Sequence, residues 1–240
     1  MSFNVLFADA GIGEKRMNPQ QILVIATRNK GKTKEIRDLL AGRNVEIKNL
    51  DDFGPIPEIE EDGATFDENA YKKASFAARI LGFAALADDS GLVVEALDGA
   101  PGVHSARYAG PDATDADRCE KLLSDMAGQT HRKAAFECVI SIAVPTGAAL
   151  TYEGRCQGEI SEKPMGDNGF GYDPVFYYPP LKKTFAQLTT EEKNQVSHRG
   201  KALREVAHEF DKILIWIDQN MPIFKKAACL SHDDDTANND

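Results

Sequence analysis

The sequence predicts an α/β protein built around a mixed, twisted β-sheet with helices packed on it. Strand and helix signals alternate from the first apolar run onward, which favours layers of sheet and helix. A long antiparallel hairpin in the middle of the chain indicates a mixed rather than a purely parallel sheet. The 240 residues are 42% hydrophobic and 28% charged, as expected for one large domain or two lobes that share a core.

The first elements form a strand–helix–strand unit. Ile22–Ala26 is a short apolar run and predicts a buried strand. A polar loop separates it from a predicted helix over Lys32–Leu40, which ends at Ala41-Gly42. Val45–Ile47 then predicts a second short strand.

A capping box predicts where the next helix begins. In Thr65-Phe-Asp-Glu68 the threonine can cap the helix, and the glutamate can accept a hydrogen bond from the capping residue. Apolar residues then recur at helical spacing and predict one buried face. They are Phe66, Ala70, Ala74, Ala77, Ala78 and Leu81.

Acidic residues follow the third predicted strand. Phe83–Ala87 predicts a short strand that ends in Asp88-Asp89-Ser90-Gly91, after which Leu92–Glu95 continues in extended form. Thr114 predicts the cap of a further helix that runs to Met126.

The second half of the chain contains the hairpin and two helices. Lys133–Val144 and Ala148–Ile160 are joined by Pro145-Thr-Gly147, which is a turn sequence. Thr189 begins a short helix, and Ser197 caps a long last helix. The inward-facing residues of that last helix are predicted to be Leu203, Val206, Phe210, Ile213, Leu214 and Ile217.

The charge balance excludes several classes of partner. With 28 basic and 38 acidic residues the net charge is −10, so most of the surface repels nucleic acid and anionic membranes. No apolar run approaches the ~20 residues of a membrane-spanning helix. The 4 cysteines show no Cys-x-x-Cys pair and no metal-binding spacing with the 5 histidines, so we expect reduced thiols and a cytoplasmic location. We expect a small polyanion to bind only where basic residues and a metal are gathered.

The loop after the first strand is a candidate phosphate site. A strand, a polar loop and a helix N-terminus can receive phosphate on backbone N–H groups, and this loop adds basic side chains. The candidate residues are Thr27, Arg28, Asn29, Lys30, Gly31 and Lys32. A solvated turn that is basic by chance is the simpler alternative.

A P-loop is a second alternative for the same segment. Ala26–Thr33 lacks only the first glycine of that pattern, and Phe83–Asp89 could serve as a Walker-B strand in an NTPase or kinase. The bulky Arg28-Asn29-Lys30 interior disfavours it, because a P-loop wraps phosphates with small residues.

Acidic residues supply the candidate metal ligands. Asp88 and Asp89 alternate across a strand, so only one of them can face a given cleft. Carboxylates suit Mg²⁺, although Asp-Ser-Gly also commonly forms an Asx turn. The acidic run Glu58–Asp62 could bring a carboxylate toward Asp89, or it could be only a solvated loop.

Two later segments could recognise a base. The glycines and aromatic residues of Gly169-Phe-Gly-Tyr-Asp-Pro174 could present a stacking face, although an aromatic staple explains the residue types better. Lys193, His198 and Arg199 gather donors at a helix start, which favours recognition of an anion or a carbonyl over satisfied surface side chains.

Together these motifs resemble, in family order, the inosine/xanthosine triphosphate pyrophosphatases. The resemblance covers roughly Ile22 to Trp216. The matching segments are Ala26–Lys32 with Glu35, Glu61–Asn69, Ala87–Leu92, Gly99–Tyr108, Gly169–Pro174 and Glu192–Gly200. The resemblance implies an elongated, two-lobed fold with a substrate cleft between the lobes, Mg²⁺ dependence and a homodimer. It also implies hydrolysis of ITP, dITP and XTP to the monophosphate and pyrophosphate, which cleanses the nucleotide pool.

The resemblance also implies residue roles. Asp89 is the expected proton acceptor for the attacking water, and Glu61 and Asp89 are the expected Mg²⁺ ligands. The expected substrate-binding residues besides those of the phosphate loop are Ser90, Phe170, Gly171, Tyr172, Asp173, Lys193, His198 and Arg199. A nucleotide-binding protein without turnover is the non-enzymatic alternative.

More specific expectations concern the purine. Phe170 and Tyr172 should stack on it. His198 and Arg199 should donate to its six-position oxygen, with Arg199 acting apart from the phosphate site.

Both ends of the chain lie outside the matched motifs. We expect residues 18–225 to form a single domain, preceded by an extension over residues 1–17, with Met17 a candidate initiator. Residues 226–240 are predicted to be an acidic, flexible tail, because Ser231–Asp240 contains Asp233, Asp234, Asp235 and Asp240 and almost nothing apolar.

Overall fold

The computed structural model describes residues 21–57 and 59–222. Within those residues the strands form one seven-stranded sheet in the order β2-β1-β3-β4-β5-β6-β7. The strands are β1 Gln21–Ile25, β2 Val45–Asn49, β3 Ala84–Val94, β4 Lys133–Ala143, β5 Ala149–Ile160, β6 Phe176–Tyr178 and β7 Lys183–Thr184. The α-helices are α1 Lys30–Leu40, α2 Phe66–Leu81, α3 Asp115–Asp125, α4 Thr190–Val196 and α5 His198–Asn220. Strand β1 is parallel to β2 and β3 and the remaining pairs are antiparallel, so the predicted mixed sheet is confirmed.

Helices cover both faces of the sheet. Leu23 and Ile25 of β1 pack with residues of α1 and α5 in one core cluster. Val24, between them, packs instead with the alanine face of α2. The short apolar strand is therefore buried on both sides, as its sequence predicts.

A further core cluster lies toward the other end of the sheet. It joins the far half of β3 to α3, to the start of β4 and to the short strands. Its larger members include Leu92, Leu122, Phe136, Phe176 and Phe185. The hydrophobic core is thus divided between two regions of one sheet, consistent with the predicted two lobes.

Strand β3 is longer than predicted. Residues Asp88–Gly91, expected at the end of a strand, lie in the middle of an eleven-residue strand. Of the residues in β3, only Ala84–Leu86 pair with β1, whereas Ala85–Val94 pair with β4. The hydrogen bonds from β4 keep the polar segment extended beyond the point where β1 ends.

The two aspartates face opposite sides of the sheet, as predicted. Asp88 lies opposite Ile140, which belongs to the α1/α5 cluster. Asp89 lies opposite Val139, which packs against Phe66 of α2. Each carboxylate therefore faces a different layer of helices.

The predicted helix caps are present, with one difference. Thr65 Oγ1 accepts from Glu68 N at 3.1 Å, but Glu68 Oε2 accepts from Ala64 N at 2.7 Å rather than from the capping residue. Thr114 caps α3, and Ser197 Oγ accepts from Gly200 N at 3.0 Å to cap α5.

The predicted hairpin is confirmed within one residue at each strand end. Helix α1 begins two residues earlier than predicted, at Lys30, because Asn29 caps it. Leu81 and Leu214, predicted to be inward-facing, are only partly buried.

The remaining structural expectations concern thiols and membranes. Cys119, Cys138 and Cys156 are buried free thiols, and Cys229 lies outside the described residues. None of the helices in the described part of the chain combines the length and the apolar character that crossing a membrane requires. Residues 1–17 and 226–240 also lie outside the described residues.

Candidate active site

The predicted site residues meet in one cleft of about 720 Å³. This volume is within the ordinary range for small-ligand sites. Its lining includes every predicted site residue whose side chain the structure describes. These residues are Thr27, Arg28, Asn29, Gly31, Lys32, Glu61, Asp89, Ser90, Phe170, Gly171, Tyr172, Asp173, Lys193, His198 and Arg199. The side chain of Lys30 lies outside the described part of the structure.

Asp89 faces α2 and meets a lysine that sequence reasoning missed. Lys73 Nζ lies 2.8 Å from Asp89 Oδ1 and 3.0 Å from Glu61 Oε1. Asn69 Nδ2 lies 3.4 Å from the other Asp89 oxygen. Burial raises the pKa of Asp89, and the charge of Lys73 limits that rise. Burial alone lowers the pKa of Lys73, but the surrounding carboxylates outweigh it and leave the pKa raised, so the ammonium stays charged.

The Glu61 and Asp89 carboxylates define a cation position. Both contact the same ammonium nitrogen, so their oxygens already converge on one positive charge. Among the described residues no group of three or more His, Cys, Asp or Glu side chains could hold a metal ion. Mg²⁺ does not require such a group, because it commonly takes one or two carboxylates and completes its shell with phosphate oxygens and water. The pair therefore fits Mg²⁺ bound together with a phosphorylated ligand.

Asp88 lies beneath the cleft and joins two helices. Its Oδ2 accepts from Lys32 Nζ of α1 at 2.9 Å and from Arg199 Nε of α5 at 3.2 Å. Ser90 Oγ donates to the same oxygen at 2.9 Å. Burial opposes the charged form, but Lys32 and Arg199 outweigh it and hold the pKa of Asp88 far below its usual range. Asp88 is thus a charged link between the N-termini of α1 and α5.

This link qualifies the expectation for Arg199. Its guanidinium donates to Asp88 and, through NH1, to Glu35 Oε2 at 3.0 Å, so both ends of the group are engaged in ion pairs. Asp88 also binds Lys32 of the phosphate loop. Arg199 is therefore not structurally separate from the phosphate loop, because a shared buried carboxylate joins the two, and its role toward the base stays a prediction.

His198 is held at the start of α5 by close packing. Its ring stacks on Phe136 at a centroid distance of 4.7 Å. Burial, followed by the charges of Arg199 and Lys193, lowers the pKa of His198 well below its usual value, so the imidazole is neutral. Within the described chain its Nδ1 is buried and has no hydrogen-bond partner. A Cβ on Gly154 of β5 would collide with the His198 carbonyl, so only glycine permits this approach.

Phe170 presents the aromatic face of the cleft. It is 39% exposed, and Lys193 Nζ lies 4.5 Å from its ring centroid. Asp173 Oδ2 accepts from Phe170 N at 2.9 Å and also binds Lys193. A Cβ on Gly169, whose φ is +80°, would collide with that same carboxylate.

Tyr172 does not take the stacking position expected of it. The residue is 3% exposed and packs in the α3 core cluster. Its hydroxyl donates to Ser105 O at 2.8 Å, which holds the ring in the cleft wall. Of the two residues predicted to stack, only Phe170 presents an exposed ring.

The phosphate loop is short and already capped. Asn29 Oδ1 accepts from Gly31 N at 2.9 Å and from Lys32 N at 3.1 Å. Thr33 Oγ1 donates to Asn29 O at 3.1 Å, inside the first turn of α1. A P-loop would offer the N–H groups of Gly31 and Lys32 to phosphate, but here both donate to Asn29 Oδ1, and this disfavours the P-loop interpretation.

Sequence reasoning missed two residues that line the cleft, Lys73 and Asp115, and two that contact its lining, Asn69 and Arg107. Lys73 and Asn69 are four residues apart beside the alanine face of α2, a spacing that could have indicated a shared polar edge. Arg107, which donates to Glu61 O at 3.1 Å, and Asp115 of α3 gave no local signal, because their contacts join distant parts of the chain.

Known proteins are similar to this chain in sequence and in fold. The Ham1 family model matches residues 23–209. The chain is 63% identical to the dITP/XTP pyrophosphatase of Syntrophobacter fumaroxidans, over 82% of this chain and 84% of that protein. It is 57% identical to the dITP/XTP pyrophosphatase of Desulfotalea psychrophila, over 86% of this chain and 92% of that protein.

Solved structures agree with the sequence comparison. The structure of a HAM1 protein from Coxiella burnetii matches with a TM-score of 0.77 at 44% identity, covering 80% of this chain and 99% of that one. The Staphylococcus aureus Ham1 protein matches with a TM-score of 0.75 at 41% identity, over 80% of this chain and 99% of that one. The family model matches most of the chain, and the matched region contains every lining residue of the cleft. The chain therefore belongs to the Ham1 family.

Proposed function

We propose that this protein hydrolyses nonstandard purine nucleoside triphosphates, namely dITP, XTP and ITP, to the nucleoside monophosphate and pyrophosphate. The observation that carries the proposal is the convergence of Glu61 and Asp89 on one cation position. That position lies in a cleft that also holds a basic loop and an exposed aromatic ring. The names of the two bacterial relatives support the same substrates.

The triphosphate would lie along the α1 end of the cleft. Lys32 projects there from the first turn of the helix, and its ammonium is held by Asp88 at 2.9 Å. Thr27, Arg28 and Lys73 line the same cleft and add donors for phosphate oxygens. Because these groups are fixed by the fold, they need little reorganisation when substrate binds.

Glu61 and Asp89 would hold Mg²⁺, which neutralises phosphate charge and orients the reacting groups when it is bound. Asp89 accepts the proton of the attacking water at its carboxylate. Bound Mg²⁺ would favour the charged form of this carboxylate and so limit its strength as a base, which means that the metal would share the work of activating the water. Lys73 Nζ holds both carboxylates in the structure, at 2.8 Å from Asp89 and 3.0 Å from Glu61, and Mg²⁺ would take over these contacts.

The purine would stack on Phe170, at the end of the cleft nearest α5. Hypoxanthine and xanthine carry an acceptor oxygen at the six-position, where adenine carries a donor amine. Neutral His198 offers one ring N–H, and Arg199 is charged and close by. Donors left unmatched against adenine can discriminate by about 10⁴-fold.

We further propose that the protein works in the cytoplasm as a homodimer and that residues 18–225 are its single domain. The three buried free thiols support a reducing compartment. The match over residues 23–209 supports the domain bounds, and the family resemblance supports the dimer.

Product analysis tests the proposal. Purified protein is incubated with ITP and Mg²⁺, and the products are identified by ion-exchange chromatography. We expect IMP and pyrophosphate, with much slower turnover of ATP. Orthophosphate and IDP would contradict the proposal, and tight ITP binding without turnover would identify a nucleotide-binding protein instead. Asp89→Asn is the control for contaminating phosphatases.

A further inference from the structure

We propose that Asp115 is a positioning residue for the purine end of the cleft, where it holds the Phe170–Gly171 peptide and thereby the stacking ring. Residues Gly169–Asp173 are called the stacking loop below. The inference rests on the proposed function, because it concerns how that site holds a purine. It concerns a residue that touches neither the phosphate loop nor the carboxylate pair.

The first observation is a long-range hydrogen bond from the loop to α3. Asp115, the first residue of α3, accepts through Oδ2 from Gly171 N at 2.7 Å. That N–H belongs to the peptide plane that also contains the Phe170 carbonyl. Fixing this plane restricts ψ of Phe170, and therefore the direction in which its ring leaves the backbone.

A second contact holds the other side of the same residue. Cys119, one turn further along α3, donates from Sγ to Gly171 O at 3.4 Å. Burial raises the pKa of the Cys119 thiol to about 11, so it stays protonated and can donate. Thiol hydrogen bonds are weak, whereas a carboxylate acceptor makes a strong one. Asp115 is therefore the main anchor of the pair.

Asp115 is itself oriented. Its other oxygen pairs with Arg118, which also donates to Ala106 O at 3.1 Å. This arrangement directs Oδ2 to the loop, and both side chains line the cleft. The Phe170 ring is partly exposed, so its orientation depends on such backbone anchors more than on packing.

The expected effect is on substrate binding rather than on chemistry. Stacking on Phe170 is present in both the ground state and the transition state. Loosening the ring removes binding from both equally, which raises KM and leaves kcat nearly unchanged. We expect the loss of this hydrogen bond to weaken substrate binding about tenfold.

The test compares Asp115→Ala, Asp115→Asn and the matched control Asp117→Ala. Asp117 lies in the same first turn of α3, carries the same charge, and accepts from Thr114 N in the capping box at the start of the helix. We expect Asp115→Ala to raise KM for ITP about tenfold, with kcat within about twofold of wild type. Asp115→Asn keeps an acceptor oxygen and should restore most of the affinity. Asp117→Ala should lower stability but leave KM unchanged.

Two further measurements separate positioning from general damage. The inhibition constant of inorganic tripolyphosphate, which has no base, should be unchanged in Asp115→Ala. Amide hydrogen exchange of Gly171 should be faster in Asp115→Ala than in wild type or Asp117→Ala. An unchanged exchange rate, an unchanged KM, or a loss confined to kcat would each overturn the inference, as would weaker tripolyphosphate binding.

The design also distinguishes this inference from the proposed function. If the wild type does not turn over ITP, the proposed function fails, but exchange at Gly171 still shows whether Asp115 holds the loop. The affinity of Asp115→Ala for ITP, measured by calorimetry, then shows whether the stacking loop contributes to binding of the purine. Faster exchange with unchanged ITP affinity would overturn the positioning role.

Discussion

At the scale of single residues, Asp88 and Asp89 show how one residue type takes two roles. They are adjacent in β3 and therefore point to opposite faces of the sheet. Burial raises the pKa of Asp89, which faces the cleft beside one lysine. Burial also favours the neutral form of Asp88, but the charges of Lys32, Arg199 and Lys73 outweigh it and lower the pKa of Asp88. The environment makes Asp89 the candidate base and Asp88 a permanent anion.

Replacing Asp89 should abolish most turnover without unfolding the protein. An amide at this position is no base and a poor metal ligand, so Asp89→Asn should reduce kcat for ITP by about 10²–10⁴-fold. Pyrophosphate release measures the loss, and thermal melting checks the fold. Activity within a few-fold of wild type would remove Asp89 from the mechanism.

Replacing Asp88 should chiefly affect stability. Asp88→Asn leaves the partly buried Lys32 and the buried Arg199 without their shared anion, which should cost about 3–5 kcal/mol in the free energy of unfolding at pH 7. Urea unfolding measures it, with the exposed Asp112→Asn as control. A loss equal to that of the control would contradict the structural role of the ion pairs.

The same variant has a signed pH dependence. The pKa of Asp88 is lower in the folded than in the unfolded protein, so its contribution is present above the ordinary value of 3.8 and is lost as pH falls below it. The stability difference between wild type and Asp88→Asn should therefore shrink as the pH is lowered below about 4. If the stability difference between wild type and Asp88→Asn stayed constant below about pH 4, Asp88 would not be the stabilising anion described here.

At the scale of elements, three helices each direct one basic side chain to β3. Lys32 comes from α1, Lys73 from α2 and Arg199 from α5. The first and last meet Asp88 on one face of the sheet, and Lys73 meets Asp89 on the other. Helix positions are thus set relative to the strand by ion pairs as well as by apolar packing.

The approach of β5 to α5 gives a prediction at this scale. A methyl group at Gly154 would collide with the His198 carbonyl, so Gly154→Ala should push the start of α5 away from the sheet. Overpacking of this kind costs about 1–3 kcal/mol, and displaced His198 should also lower kcat/KM for ITP. Chemical unfolding and steady-state kinetics measure both effects, with the exposed neighbour Glu153→Ala as control. Wild-type behaviour of Gly154→Ala would show that the contact relaxes at no cost.

At the scale of the whole molecule, the cleft depends on the sheet being mixed. The parallel pairing of β1 ends at Leu86 of β3, while the antiparallel pairing with β4 continues to Val94. Polar residues on β3 can therefore be reached from both helix layers just beyond the end of β1. The lining residues of this cleft lie between Ala26 and Arg199.

The terminal segments should accordingly be dispensable for chemistry. A chain restricted to residues 18–225 contains every lining residue of the cleft. We expect its kcat/KM for ITP to stay within about twofold of the full chain, because a difference that small is well under 1 kcal/mol. Steady-state kinetics on both proteins measures it. A large loss would show that a terminal segment contributes to the site or to assembly.

The sequence by itself determined the local features of this protein. Capping residues such as Thr114 and Ser197, the hairpin and the apolar faces of α2 and α5 follow from contacts within a few residues, so their patterns can be read directly. The motif residues also indicated the cleft, because they supply the carboxylates, the basic groups and the aromatic ring that line it.

Only the tertiary structure decided what those residues bind. It extended β3 through Asp88–Gly91, since β4, which is distant in sequence, supplies the hydrogen bonds. It also engaged Arg199 with Asp88, buried Tyr172 and brought Lys73 to Asp89. These outcomes depend on which segments lie together across the sheet, and spacing along a single chain does not encode that proximity.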